Sequence, residues 1–249
     1  MPNDVNPYAA PDPDSSYFPA QPAYPGAIVP TTVEPGNVIN YAWEIWKANL
    51  GLLVGVSAIV FGASIAVYIA QMLVGAISQR MGLAGLGVLA GAGISILSML
   101  LQVFLGIGQV QIALKLLRRQ PAAIGDLFAM HPHFLRVLGG ILLFGLAMWL
   151  GFILCIIPGI LIMLYYWPFY MLLVDGKGDL KACLDMTYPV GKINIGPSLI
   201  LWLASMGIML LGLLALGVGI LFAAPLVTLM WGAGYLMMTG QIPQQPHMA

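Results

Sequence analysis

The stretch FLRVLGGILLFGLAMWLGFILCIIPGILIMLYYWPFYMLLVD, from Phe134 to Asp175, decides the fold of this chain. It contains two apolar segments that are joined only by Ile157, Pro158 and Gly159, and each segment has about the length that a membrane helix needs. A Pro-Gly break between two such segments is typical of a tight turn. The stretch therefore predicts a helical hairpin that crosses a membrane twice, with its turn at the far interface.

The composition of the whole chain agrees with a membrane location. Of its 249 residues, 60% are hydrophobic and 7% are charged, whereas a soluble domain carries about 25% charged residues. The net charge is zero and indicates no nucleic acid or other highly charged partner. The two cysteines, Cys155 and Cys183, lie on either side of the second arm of the hairpin. We therefore expect no disulfide and interpret both as apolar cysteines.

The chain divides into three parts. Residues 1–35 are rich in proline and contain acidic but no basic side chains, so we predict a disordered tail that cannot bury a core of its own. The proline spacing around Tyr24 is suited to an aromatic groove on a protein partner, and a solvated tether is the alternative. Residues 36–240 form the predicted transmembrane domain, and residues 241–249 form a short disordered tail.

Two apolar runs precede the hairpin and predict one span each. The first span extends from about Leu50 to Ile77. The run from Gly82 to Leu117 is too long for one span, because as a helix it would measure about 50 Å against an apolar core of about 30 Å. Glycines concentrate in residues 82–93, so we expect that part to be irregular and the straight helix to start near Leu89.

The last apolar block, residues 198–239, is long enough to cross twice and is expected to turn near Gly217 and Gly219. With the hairpin, this makes about six spans in three hairpins. Pro168 is expected to kink the second arm of the central hairpin. The predicted fold class is therefore an all-α membrane protein.

Each hairpin is preceded by a segment with helical amphipathic spacing, at about residues 37–48, 122–131 and 179–188. The apolar positions of the first segment are Val38, Tyr41, Ala42 and Ile45, and those of the third are Leu180, Cys183, Leu184 and Tyr188. We predict three amphipathic helices that lie at the membrane interface with their apolar faces in the headgroup region.

The basic residues decide the orientation. Eight of them fall on one side of the predicted membrane: Lys47, Lys115, Arg118, Arg119, Arg136, Lys177, Lys181 and Lys192. Only Arg80 falls on the other side. By the positive-inside rule, the termini and the basic loops are predicted to be cytoplasmic.

Several short segments together resemble a known group of proteins. They are Ala42-Trp43 to Lys47, Gly125-Asp126-Leu127-Phe128, Ile157-Pro158-Gly159-Ile160, Asp175 after an aromatic span, and Pro225 in the last helix. With them, residues 37–240 resemble a broad group of uncharacterised bacterial six-helix membrane proteins, which is similar to the membrane domain attached to some glycerophosphodiester phosphodiesterases. The resemblance implies a six-helix fold and a bacterial cytoplasmic membrane. It implies no catalytic residue, because this chain contains no soluble phosphodiesterase domain.

Candidate metal and catalytic sites are weak. His131 and His133, with Asp126 before them, are the nearest approach to a metal site, but a third or fourth ligand and a second shell are not evident. We expect solvated histidines, no metal and no cofactor. No pair of nucleophile and base lies in or near the spans, so we expect no enzymatic activity.

Two sets of residues are candidates for binding. A ring of basic residues at the cytoplasmic side could hold anionic lipid headgroups, with about 1 kcal/mol of attraction for each residue. The ring comprises Lys115, Arg118, Arg119, Arg136, Lys181 and Lys192. Topology alone also explains it. Gln102 and Gln109 lie seven residues apart on one helix face, and they could line a polar path or bond to other helices.

The sequence favours a non-enzymatic scaffold or lipid-associated envelope component over the alternative, a channel or uncoupled transporter for a small solute. Coupled transport is disfavoured because no ionisable residue lies well inside a span. Expected partners are membrane lipids, anionic ones among them, and a protein that binds the proline-rich tail. No nucleic acid partner is expected. Lipid specificity and oligomeric state stay open at this point.

Overall fold

The structure is a computed structural model, and it describes residues 28–129, 134–154, 156–215 and 217–243. In these ranges it consists of nine α-helices and a short 3₁₀ turn, which confirms the predicted all-α membrane fold. The helices are α1 (Pro35–Ala48), α2 (Leu50–Arg80), α3 (Ala84–Leu117), α4 (Phe134–Leu154), α5 (Ile156–Tyr166), α6 (Pro168–Val174), α7 (Leu180–Ile193), α8 (Ile195–Leu214) and α9 (Ile220–Met238), and the 3₁₀ turn is Ile124–Phe128. The predictions for residues 1–27 and 244–249, His131, His133 and Cys155 fall outside the described residues.

Five helices, α2, α3, α4, α8 and α9, are long and apolar enough to cross a membrane, which makes this a multi-pass membrane protein. The second arm of the central hairpin consists of α5 and α6, and each is too short to be counted alone. The arm divides at Trp167 because Pro168 has no backbone N–H with which to continue the helix. The break lies at the proline where the sequence predicts a kink.

The glycine-rich beginning of the second apolar run is helical, so the expectation of an irregular segment at residues 82–93 was wrong. The helix α3 is continuous from Ala84. Backbone groups in an apolar environment have no water to bond, and this favours helix even where glycine is frequent. Gly87 also serves packing, since a Cβ added there would lie 2.5 Å from the Cβ of Ser78 on α2.

The buried core lies at one end of the bundle, where α3, α6 and α9 end. Its central residues fall within 105–117, 169–174 and 229–238. We call this end the base. On the α2–α3 hairpin, no described side chain between Ala58 and Phe104 is fully buried, and those that pack against the core, such as Ile59 and Phe104, are half-buried. At 1.5 Å per residue, α2 and α3 measure about 46 and 51 Å, longer than the other spans.

The first amphipathic segment forms α1, and its four predicted apolar positions are at most 9% exposed. The structure differs from the prediction in what covers this face. Val38 lies against Gly234, and the indole of Trp46 donates a hydrogen bond to the carbonyl oxygen of Phe222 at 3.1 Å. Because Gly234 and Phe222 both belong to α9, protein rather than the headgroup region covers most of the apolar face of α1.

The second amphipathic segment is not an α-helix over residues 122–131. The described part is the 3₁₀ turn, in which Leu127 packs closely on Gly108 of α3. The Asp126 carboxylate accepts a hydrogen bond from the Ala123 backbone N–H at 2.9 Å and holds this tight turn. The third segment forms α7, which continues through Pro189 to Ile193 and is longer than predicted.

The segment before α1 is attached to the base. The backbone N–H groups of Val29 and Thr31 donate to the carbonyl oxygens of Thr239 and Met238, at 3.1 and 2.9 Å. The Asn194 side chain accepts from the Val33 N–H at 3.1 Å and donates to the Thr31 carbonyl oxygen at 2.9 Å. The chain therefore enters α1 from a defined position beside the end of α9.

Candidate lipid-binding site

A cluster of polar side chains joins the ends of α3, α6 and α9. This base cluster consists of Arg118, Asp175, Lys177, Tyr235 and Gln241. The Arg118 guanidinium donates to both carboxylate oxygens of Asp175, at 2.8 and 2.7 Å, and to the side-chain oxygen of Gln241 at 2.7 Å. The Tyr235 hydroxyl donates to Asp175 at 2.9 Å, and the Lys177 ammonium lies 3.6 Å from the same carboxylate.

The base cluster fastens three hairpins to one another. The Asp175 side chain is only 8% exposed, and a bidentate pair with arginine is the strongest geometry available to it. The hydrogen bonds to Asp175 raise the pKa of Arg118 above its usual value, so the guanidinium stays charged. Arg118 belongs to the predicted ring of lipid ligands, and the structure directs its donors into the protein. For this residue, lipid binding stays a prediction.

Two further members of the predicted ring also bond to the protein. The Lys115 ammonium lies 2.8 Å from the Asp126 carboxylate, and this hydrogen bond lowers the pKa of Asp126. Arg136 donates to the carbonyl oxygen of Gly178 at 3.0 Å. The remaining three members of the ring are exposed, namely Arg119, Lys181 and Lys192. The predicted ring is thus divided between residues that stabilise the fold and residues that face outward.

The two glutamines of α3 lie in different environments. Gln102 is exposed and Gln109 is half-buried. Polar side chains do bond across the α2–α3 pair, where the Gln71 amide donates to the Ser95 hydroxyl at 3.3 Å. Neither Gln102 nor Gln109 lines the two cavities described below. A polar path along them stays a prediction.

A cleft of about 650 Å³ lies between α4, α5, α6 and α7. We call it the lateral cleft. It is lined by Leu143, Phe144, Ala147, Ile162, Tyr166, Phe169, Leu184, Asp185 and Tyr188. Its volume lies within the range of about 300–1,000 Å³ that is usual for small-molecule sites.

Glycines explain why a cleft forms at this place. Near the tip of the hairpin, a Cβ on Gly151 would lie 3.2 Å from the Cα of Gly159, so α4 and α5 touch there. Nearer the base, Gly140 of α4 lies tightly against Leu173 of α6. The cleft-lining residues of α4, which include Phe144, fall between these two contacts.

The polar groups of the lateral cleft come from α7 and the end of α5. Gly191 packs directly on the Tyr165 carbonyl, which brings α7 close to α5. The ring of Tyr188 stacks near Tyr165, with centroids 6.2 Å apart, and lies 6.5 Å from the ring of Tyr166. The α4 wall is entirely apolar, so the cleft has an apolar side and one polar, aromatic edge that includes Asp185.

A second, smaller cavity of about 370 Å³ lies where α3, α5, α6, α8 and α9 meet. Most of its lining is aromatic or contains methionine: Trp167, Tyr170, Trp202, Trp231, Met163 and Met171. The Trp167 indole donates to the Ser198 hydroxyl at 2.9 Å and packs edge-on against Trp231. The hydroxyl of Thr228 bonds to the Ala224 carbonyl of its own helix. This cavity therefore has little polarity to offer a solute.

In residues 28–129, 134–154, 156–215 and 217–243, no group of three or more His, Cys, Asp or Glu side chains is arranged to hold a metal ion. Cys183 of α7 is a free thiol that is fully buried, and burial raises its pKa to about 11.

Comparison with known proteins adds no relative. No protein-family model, no curated protein and no solved structure matches this chain. The resemblance to the bacterial six-helix group therefore stays a prediction, and functional inference depends on the geometry of the chain alone.

Proposed function

We propose that this protein is a non-enzymatic membrane protein of the bacterial cytoplasmic envelope that binds a membrane lipid in its lateral cleft and serves as a scaffold or lipid-associated component. The observation that carries the proposal is the lateral cleft itself. It has an apolar wall from the membrane-spanning helix α4, and its polar groups lie along α7 and at the end of α5. A lipid molecule has the same division between chain and headgroup.

The apolar part of the cleft contributes shape more than affinity. Transfer of a methylene from water into an apolar site is worth about 0.8 kcal/mol. A lipid in a bilayer is already surrounded by other chains, so this gain is largely absent when a chain enters the cleft. Selectivity should therefore come from close packing against residues such as Ala147 and from the polar edge on α7.

We further propose that the base faces the cytoplasm. Of the eight basic residues that the sequence assigns to one side, Arg118 and Lys177 lie in the base cluster and Lys115 lies in the last turn of α3, whereas Arg80 lies in the last turn of α2. The positive-inside rule assigns such an end to the cytoplasmic side. The exposed members Arg119, Lys181 and Lys192 would then attract anionic lipids of the inner leaflet.

The lipid proposal is tested by filling the cleft. The protein is purified in mild detergent, and its retained lipid is measured by mass spectrometry for wild type, Ala147→Phe and Gly145→Phe. Ala147 lines the cleft, whereas a Cβ added at Gly145 meets nothing within 4 Å and points outward. We expect Ala147→Phe to lose the retained lipid and Gly145→Phe to keep it. Wild-type protein that retains no lipid above the bulk composition would contradict the proposal.

A further inference from the structure

The exposed face of α7 carries an ordered set of charges beside the lateral cleft. Lys181, Asp185, Tyr188 and Lys192 follow one another at spacings of four, three and four residues, which places them on one face of the helix. All four are exposed. Tyr188 was expected at an apolar position of this segment, and in the structure it is exposed between charged residues.

Among the described residues that line the cleft, Asp185 is the charged one. Within the described part of the chain, its carboxylate has no ion-pair partner, although Lys181 stands one turn away. The rings of Tyr166 and Tyr188 line the same edge. A carboxylate and aromatic faces both attract cations, so this edge of the cleft suits a positively charged group.

The neighbouring lysines suit a negative group. Lys181 lies one turn before Asp185 and Lys192 lies one turn after Tyr188. The Lys192 ammonium is 6.0 Å from the centre of the Tyr188 ring, which keeps it near the edge of the cleft. The order along the face is therefore positive, negative, aromatic and positive. A ligand that matches it carries an ammonium and a phosphate close together.

We infer that the lateral cleft selects a phospholipid with a primary ammonium headgroup, such as a phosphoethanolamine lipid. Its ammonium would bond to Asp185 beside the two tyrosines, and its phosphate would lie near the flanking lysines. A primary ammonium has N–H donors for a charge-assisted hydrogen bond, which a quaternary ammonium lacks. An anionic headgroup without an ammonium would meet the Asp185 carboxylate as a like charge. The inference rests on the proposed function, because it assigns the headgroup of the lipid in the same cleft.

The test uses the full chain in nanodiscs made from equal amounts of phosphatidylethanolamine, phosphatidylglycerol and phosphatidylcholine. After extraction into mild detergent, the lipids that stay bound are counted and identified by mass spectrometry. For wild type we expect phosphatidylethanolamine to be enriched on the order of fivefold over its share. For Asp185→Asn we expect the same amount of bound lipid without the enrichment. Glu44→Gln makes the same charge change at an exposed position on α1 and should behave as wild type.

The outcomes separate the two proposals. Enrichment of phosphatidylglycerol or phosphatidylcholine in wild type, or enrichment of phosphatidylethanolamine that survives Asp185→Asn, overturns the headgroup inference and leaves the lipid-binding function standing. Wild type that binds no lipid overturns both. The melting temperature of Asp185→Asn should equal that of wild type, because the carboxylate is exposed and bonds to no described residue. If Asp185→Asn is stable but retains fewer lipid molecules than wild type, Asp185 does more than select the headgroup, and the inference is contradicted.

Discussion

The base cluster allows the sharpest prediction about stability. Asp175→Asn keeps the shape of the side chain but leaves the Arg118 guanidinium without its counter-charge. Removal of one partner from a fully buried ion pair costs about 3–5 kcal/mol. The Arg118 side chain is 27% exposed and keeps its bond to Gln241, so water and the amide offset part of this cost. We expect Asp175→Asn to lower the free energy of unfolding by about 2–3 kcal/mol.

A double-mutant cycle isolates the pair itself. Arg118→Met, Asp175→Asn and the double variant are unfolded reversibly in mixed micelles, and unfolding is followed by circular dichroism. We expect a coupling energy of about 1.5–3 kcal/mol. The control cycle uses Lys115 and Asp126, whose side chains are 39% and 24% exposed, and it should give about 0.2–1 kcal/mol. A coupling for Arg118 and Asp175 no larger than that of the control would refute the view that this cluster fastens the hairpins.

Three further predictions concern α7 and the topology. Gly191→Ala should lower the free energy of unfolding by about 1–3 kcal/mol because its Cβ would meet the neighbouring α5 backbone. The control Gly196→Ala has open space around its Cβ and should not destabilise the protein. Equal melting temperatures of the two variants would contradict the packing of α7 on α5. The alkylation rate of Cys183 is measured with iodoacetamide at pH 8 after the other cysteine is replaced by alanine. We expect it to be on the order of 100-fold lower than the rate of the cysteine in Lys181→Cys without native cysteines, because the raised pKa of Cys183 leaves little thiolate. Equal rates would show that α7 is not packed over this thiol. In intact cells, with both native cysteines replaced by alanine, a membrane-impermeant maleimide should label Arg80→Cys but not Lys181→Cys, and the reverse pattern would overturn the orientation.

The elements of the fold follow from local sequence signals, with instructive exceptions. Helical periodicity identified the buried face of α1, since Val38 and Ala42 are fully buried. Pro168 marked the break between α5 and α6 because the effect of proline on a helix is local. The expectation for residues 82–93 was wrong because glycine propensities measured in water understate helix formation in an apolar environment.

The sites depend on contacts that sequence spacing does not reveal. Arg118 and Asp175 are 57 residues apart, and only the shared end of their predicted spans hinted that they could meet. The lateral cleft arises from two glycine contacts that bring α4 close to its neighbours on either side of Phe144. By its spacing, Tyr188 could belong either to the apolar face of α7 or to the charged face that carries Asp185 and Lys192. Tertiary packing places it on the charged face.

The most direct test of the lipid-binding account is photo-crosslinking with a phospholipid that carries a diazirine in its acyl chain. After irradiation in nanodiscs, the adducts are mapped by peptide mass spectrometry. We predict that Ala147 and Ile162, which line the lateral cleft, carry more adducts than Leu146 and Trp149, although those two residues are 56% and 65% exposed. Adducts that simply follow exposure, with Leu146 and Trp149 ahead of the cleft residues, would contradict the claim that the cleft holds a lipid.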